Sequence, residues 1–326
     1  MANSLQQLIA AGKAVSTDNL NETEHFQAAI ELQTRLCDLG ILDPIFKGDK
    51  EKPFGPVGKA DGVIGAMTRN ALFEFCRLAK LEYTDRLLPI PLLKALVAAK
   101  AEDFLPVGFR DRVFDNSDTR LARRILRCLR DKGYWIARSP AAYNIVYIEG
   151  ADVNGRVNTD NFDEWNDRRI IIRIRPGGKP EIVLNELATT EPGRFYTFNP
   201  LNIQGAARIA FGQYKAWVDG LHQNVQPALV QRGDVRVHRD LDKNGKRSKT
   251  DPMDVGDWFG INQHSTAPNA NPQLVGKYSA GCLVGQNYAA HLRFLTTVRK
   301  DFRYRLNRGY MFISAVLAGD DPLLRD

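Results

Sequence analysis

Among the titratable side chains, Cys282 and His264 stand closest to a working couple, 18 positions apart (264 to 282) in Gly260-Ile-Asn-Gln-His264-Ser-Thr266 and Tyr278-Ser279-Ala280-Gly281-Cys282-Leu-Val284. The thiolate is the effective nucleophile of cysteine, so a reactive thiol needs a neighbouring base or cation, and an imidazole serves. The small residues Ser279, Ala280 and Gly281 let a substrate carbonyl approach the sulfur, and backbone N–H groups around Cys282 are placed to hold the oxyanion that forms. Histidine precedes cysteine here, the reverse of the papain-like order, which argues against a peptidase of that type.

Two metal readings accompany this couple. Asp240-Leu-Asp242-Lys-Asn244-Gly245-Lys-Arg-Ser-Lys-Thr-Asp251 carries oxygen ligands at the first, third, fifth and twelfth places and glycine at the sixth, the spacing of a calcium loop. Against calcium stand Lys243, Lys246, Arg247 and Lys249, a strand-like segment ahead of the loop, and Asp where Glu is favoured at the last place; the plain reading is a solvated Asn-Gly turn. His222, His238 and His291 have no zinc-site spacing, so neither a zinc centre nor any other required cofactor is expected. Cys37, Cys76 and Cys128 form no C-x-x-C pair, and only Cys37 with Cys76 is open to a disulfide.

Elements must hold these groups in place. Apolar residues recur at helical spacing through Phe26, Ile30, Leu32, Leu36 and Leu39, and again through Met67, Ala71, Leu72, Phe75 and Leu78. Gly40 stops the first helix, while Asp61-Gly62 and Gly65 turn the chain into the second. The stretch 43–59, rich in Gly, Pro and Lys, reads as a solvated loop, and 91–101 as a third helix behind Pro89 and Pro91. A basic amphipathic helix through Leu121, Ile125, Leu126 and Leu129, capped from Asn116-Ser117-Asp118, ends at Gly133. Its arginines are read as covering polar faces, with no interleaved aromatics to stack on bases, so no nucleic-acid partner is expected. From Tyr143 onward, β-branched runs at 143–148, 169–174, 181–184 and 234–237 predict strands, interrupted by helices over about 205–219 and 287–300. The fold class is α+β, a small helical N-terminal module followed by a mainly β domain: 20–100, a helical linker at 101–140, and 141–319.

The 326 residues suffice for two such units with substantial cores, and 44% hydrophobic with 25% charged residues excludes collagen-like and disordered chains. Forty-five Lys and Arg against 38 Asp and Glu give a net charge of +7, suited to a polyanionic neighbour. The N-terminus lacks a basic start followed by a long apolar run, and no stretch reaches membrane-span length, so neither a Sec leader nor a span is expected.

The motif Ser279-Ala280-Gly281-Cys282 with His264 ahead of it resembles the L,D-transpeptidase domain, and Ala188-Thr-Thr-Glu-Pro-Gly-Arg-Phe-Tyr196 is similar to a Thr-Pro-x-Gly-x-Phe segment of that family. The likeness covers roughly 143–318. It implies Cys282 as nucleophile on a peptidoglycan stem-peptide carbonyl, His264 as general base, and Ser279 and Gly281 shaping the pocket, with a thioester resolved by an amine or by water. Members carry an arginine two places after the cysteine where this chain has Val284, and Arg239 and Arg293 are the candidate replacements. Separately, Leu32-Gln33-x-x-Leu36-x-x-Leu39-Gly40 and Ala60-Asp61-Gly62-Val-Ile-Gly65-x-x-Thr68-x-x-Ala71-Leu-x-x-Phe75 resemble the three-helix peptidoglycan-binding module, over about 25–100. Together the resemblances imply a cell-wall cysteine acyltransferase or hydrolase whose partner is peptidoglycan; the rival expectation is a wall-binding protein of the same fold without activity. With no leader, delivery by a virion or injection device, by lysis or by a non-Sec route is expected.

Overall fold

The computed structural model describes residues 3–100 and 117–325. The N-terminal segment begins with α1 (Leu5–Ala11), whose first turn is closed reciprocally: Ser4 Oγ accepts from the Gln7 amide and the Gln7 side chain accepts from the Ser4 amide. Then come β1 (Val15–Ser16), α2 (Phe26–Asp38), β2 (Ile45–Lys47), β3 (Gly55–Gly58), α3 (Ala66–Ala79), β4 (Leu87–Leu88) and α4 (Ile90–Ala98). Leu32, Leu36, Leu72, Phe75, Leu93 and Leu96 share one core. The Asp61-Gly62 turn is pinned to α2 by Gln33, whose Oε1 accepts from the Gly62 amide at 2.8 Å while its Nε2 donates to Asp61 Oδ1 at 2.7 Å.

The expected solvated loop at 43–59 is instead a hairpin, β2 against β3. Its tip is drawn inward because Phe54 has a large apolar ring to bury: it packs 5.3 Å from the Tyr214 ring, and the Gln213 amide donates to the Phe54 carbonyl at 2.9 Å.

The basic helix is α5 (Ser117–Asp131); the cap expected at 116–118 lies outside the described residues and side chains. Leu121, Ile125, Leu126 and Leu129 pack on strand residues Ile170 and Ile172. Arg124 departs from the surface role expected of it, being buried and donating to the Asn154 carbonyl at 2.7 Å.

After α5 the chain is mainly strand: β5 (Asn144–Glu149), β6 (Asp167–Ile174), β7 (Pro180–Thr189), short α6 (Arg194–Phe198), β8 (Ala206–Ile209), β9 (Gly212–His222), β10 (Gln226–Gln231), β11 (Val235–Asp240), β12 (Met253–Gly256), β13 (Gln263–Ser265), β14 (Leu283–Gly285), α7 (Tyr288–Val298), α8 (Phe302–Leu306) and β15 (Phe312–Ala318). Eight strands close a barrel in the order β10, β13, β14, β7, β6, β5, β15, β9, and β8, β11 and β12 form a second small sheet.

The helix expected over 205–219 is overturned: that stretch is β8 and β9. Tyr214 and Trp217, three apart, mimic a helical stripe, but Gly205 and Gly212 break it, and pairing with both β10 and β15 satisfies the β9 backbone in the sheet.

The two halves are tied by charge. Asp43, buried, meets Lys215 of β9 and Arg303 of α8, each at 2.9 Å, and Arg303 also holds Asp301 at 2.6 Å. All four cysteines are free and buried, so the Cys37–Cys76 bridge is not formed. No helix among the described residues is long and apolar enough to cross a membrane.

Candidate functional site

The barrel explains how residues 18 positions apart meet (264 to 282). β13 and β14 are neighbouring parallel strands with His264 opposite Val284, so the connection between them leaves β13 and returns alongside it, delivering Cys282 to the start of β14. Beneath them, Trp217 Nε1 donates to the Ile261 carbonyl at 2.7 Å and Gln263 Nε2 donates to Ser314 Oγ at 2.9 Å, fixing the entry into β13.

His264 Nδ1 lies 2.9 Å from the Ser265 carbonyl, which can only accept. The proton is therefore on Nδ1 and the lone pair on Nε2. Nε2 has no partner although His264 is only 4% exposed. A ring nitrogen of His264 and one of His222 both lie within 4.8 Å of Cys282 Sγ and of each other. The two imidazoles stack with centroids 3.9 Å apart and planes 8° apart, and Asn262 Nδ2 approaches His222 Nδ1 at 2.9 Å.

The couple rests uncharged. Burial, with the neighbouring His222 and Arg169 adding to it, lowers the His264 pKa to about 3, and burial raises the Cys282 thiol to about 11. The thiol donates to the Gly260 carbonyl at 3.3 Å. Cys282 is 9% exposed, yet it borders open space on two sides. One groove of about 460 Å³ runs past His264, Gln226, Lys277 and Tyr288; another of about 430 Å³ runs past Arg239, Trp258, Asn202 and Asn262. Tyr196, His222, Gln223, Ala280 and Cys282 border both.

Ser279 is buried, its Oγ donating to the Cys282 carbonyl at 2.9 Å and accepting from the Gly281 amide at 3.1 Å. That makes it a positioning residue for the thiol's turn, and it occupies one of the amides expected to serve an oxyanion. Gly281, at φ +131, packs so closely on β8 that a Cβ would collide with the Ala207 carbonyl. Arg239 borders the second groove while paired with Asp254 at 2.9 Å and lying 4.9 Å over the Phe259 ring. Arg293 is exposed on α7 and borders neither groove. Val284 is wholly buried beside Trp165, Val275 and Cys282.

Sequence reasoning weighed His222 only as a zinc ligand without the spacing for one, and Arg169 only as part of a strand. His222 sits at the end of β9, far along the chain and without a spacing signal. Arg169 is wholly buried behind β13, paired with Glu186 and donating to the His264 carbonyl at 3.4 Å; His291, set beside the thiol motif in the sequence, lies there too, its Nδ1 3.1 Å from Arg169 Nη1 and its Nε2 2.8 Å from the Pro227 carbonyl. An arginine directly at the head of the apolar run 170–172 was the available signal for Arg169.

The segment with calcium-loop spacing, 240–251, forms the turn between β11 and β12. Asp240, Asp242 and Asp251 each bring one oxygen within 4.8 Å of the others. Asp240 also accepts the amides of Asn244 and Gly245 at 3.0 and 2.9 Å, and Asp251 that of Ser248 at 2.7 Å, bonds that close the turn by themselves. Asn244 turns its side chain to Asp242 and to the Lys246 amide.

No protein-family model matches the chain, and no curated protein does. Among solved structures it is similar to the L,D-transpeptidase (residues 123-326) from Xylanimonas cellulosilytica DSM 15894, at 14% identity over 88% of this chain and 92% of that one, with a TM-score of 0.18. A score that low leaves the site to be read from its own geometry.

Proposed function

We propose that the chain is a cysteine acyltransferase acting on the stem peptides of peptidoglycan, by transpeptidation or hydrolysis. The observation that supports this reading most is the unpartnered Nε2 lone pair of His264, oriented by the Ser265 carbonyl, beside a thiol that two grooves reach. The choice of stem peptide as substrate rests on the resemblance of the two motifs and not on the site.

In this mechanism Sγ of Cys282 attacks an amide carbonyl as His264 Nε2 takes the thiol proton. With the thiol near 11 and the imidazole near 3, the proton moves together with carbon–sulfur bond formation and not ahead of it. The C–N bond then breaks, the leaving amine takes the proton from His264, and a thioester remains. An acceptor amine or water gives its proton to His264 as it attacks, and Cys282 recovers that proton when the C–S bond breaks. Arg239, which borders the second groove, would meet an anionic part of a ligand there by sharing its guanidinium with Asp254.

A second reading, a wall-binding protein without activity, draws on two observations: the thiol is desolvated, and the position of the family arginine is filled by buried Val284. Intact-mass measurement after brief exposure to purified sacculi separates the two. The acyltransferase reading expects an acyl adduct on wild type that Cys282→Ala lacks; unmodified wild type, with identical muropeptide profiles from both proteins, favours the inactive one.

A further inference from the structure

Three soft or borderline ligands converge where the two grooves join: one ring nitrogen each of His222 and His264 and the sulfur of Cys282, within 4.8 Å of one another. They arrive from the end of β9, from β13 and from the turn before β14, so the cluster is a product of the fold and has no sequence spacing to announce it. The His264 ring also carries an orphan: its Nε2 is buried, bears a lone pair and has no partner. A buried polar atom left unmatched is destabilising, and a ligand at this point would relieve that cost.

We propose that this triad binds a thiophilic divalent cation, zinc in the first instance, and that the bound ion switches the site off. Two nitrogens and one thiolate are a ligand set zinc accepts, and they leave a fourth position open toward the grooves for water. Calcium and magnesium prefer oxygen and are excluded by the same donors. The Ser265 carbonyl on His264 Nδ1 supplies the outer hydrogen bond that orients a metal-binding imidazole. Zinc–nitrogen and zinc–sulfur bonds of about 2.0–2.3 Å place tetrahedral ligands roughly 3.5 Å apart, a spacing to which atoms lying within 4.8 Å of one another can close.

His222 is the part that moves. Parallel rings aim their lone pairs side by side, so it must turn off the His264 stack and release Nδ1 from Asn262. It is only partly buried and ends its strand just before a turn at Gln223 and Asn224, both at positive φ, which leaves it room to do so. As the Zn–S bond forms, the Cys282 proton goes to solvent; both imidazoles are already neutral. Nothing is oxidised or reduced. The inhibitory consequence rests on Cys282 being the nucleophile, whereas binding does not.

Cobalt(II) added to the chelator-stripped full chain is the test. The expected result is a thiolate-to-cobalt charge-transfer absorption saturating at one equivalent, displaced by zinc and untouched by calcium or magnesium. Cys282→Ser should lose the band, and His222→Ala should weaken cobalt affinity by more than about tenfold, with His222→Gln as the substitute if the alanine variant does not fold. Absence of the band in wild type, or equal affinity in the His222 variants, overturns the site. Intact-mass detection of the acyl adduct in metal-free buffer, repeated with zinc, keeps the two readings apart. An adduct without a cobalt band sinks the metal site alone. A band without an adduct sinks the acyltransferase alone, and an adduct undiminished by saturating zinc sinks the switch.

Discussion

Cys282 differs from the other cysteines in access and not in acidity. Burial raises Cys282 and Cys76 to about 11, and Cys37 and Cys128 to about 12, but of the four only Cys282 borders the grooves. Alkylation by iodoacetamide proceeds through the thiolate, whose population below the pKa rises about tenfold per pH unit. Labelling of Cys282 should therefore climb steadily between about pH 7 and pH 10, where an ordinary thiol levels off near 8.5. A plateau near pH 8.5, read by peptide mass mapping, would mean the thiol is not desolvated in solution. The Cys282 and His264 couple was legible because each sits in a short segment of suggestive type. His222 was not, because what brings it there is strand pairing across the barrel, and the part of its strand before position 220 imitates a helix.

The turn before β14 carries the thiol on a conformation that only glycine supports. Gly281 is at φ +131 and lies against the Ala207 carbonyl of β8, so Gly281→Ala brings both backbone strain and a collision. It should destabilise the protein by at least about 2 kcal/mol and shift the sulfur relative to His264. Denaturant unfolding measures the first effect and Cys282 labelling rate the second; a variant with unchanged midpoint and rate would show that the turn is looser than described. Elements with one periodicity were readable: α2, α3 and α7 fall near their expected places, and so do β5 and β6. β8 and β9 were not, since alanines and two aromatics three apart imitate a helix until partners on both sides are known. The β2–β3 hairpin was hidden for a related reason, because Phe54 is a loop residue until a barrel stands in front of it.

The N-terminal helices and the barrel are joined through the buried Asp43, Lys215 and Arg303 cluster. Burial pushes the Asp43 carboxyl up, but Lys215 and Arg303 outweigh it and hold the group below its ordinary range. Its contribution is thus present above the unfolded carboxyl value of about 3.9 and is lost as pH falls through the lower folded value. Asp43→Ala takes the buried carboxylate from Lys215 and one of two from Arg303, which keeps Asp301, and should cost about 3 kcal/mol at neutral pH. Chemical denaturation across acid pH should show a shallower loss of stability in the variant than in wild type, and parallel curves would remove Asp43 from the account. Nothing in the local sequence marked this contact, which joins positions 43, 215 and 303.

On the acyltransferase reading proposed above, the double approach to one sulfur also sets an expectation for steady-state kinetics. A fragment released along one groove does not obstruct an acceptor arriving by the other, so the first product can depart before the second substrate binds. Double-reciprocal plots at several acceptor concentrations should give parallel lines; intersecting lines would mean that donor and acceptor must be present together before any bond is broken.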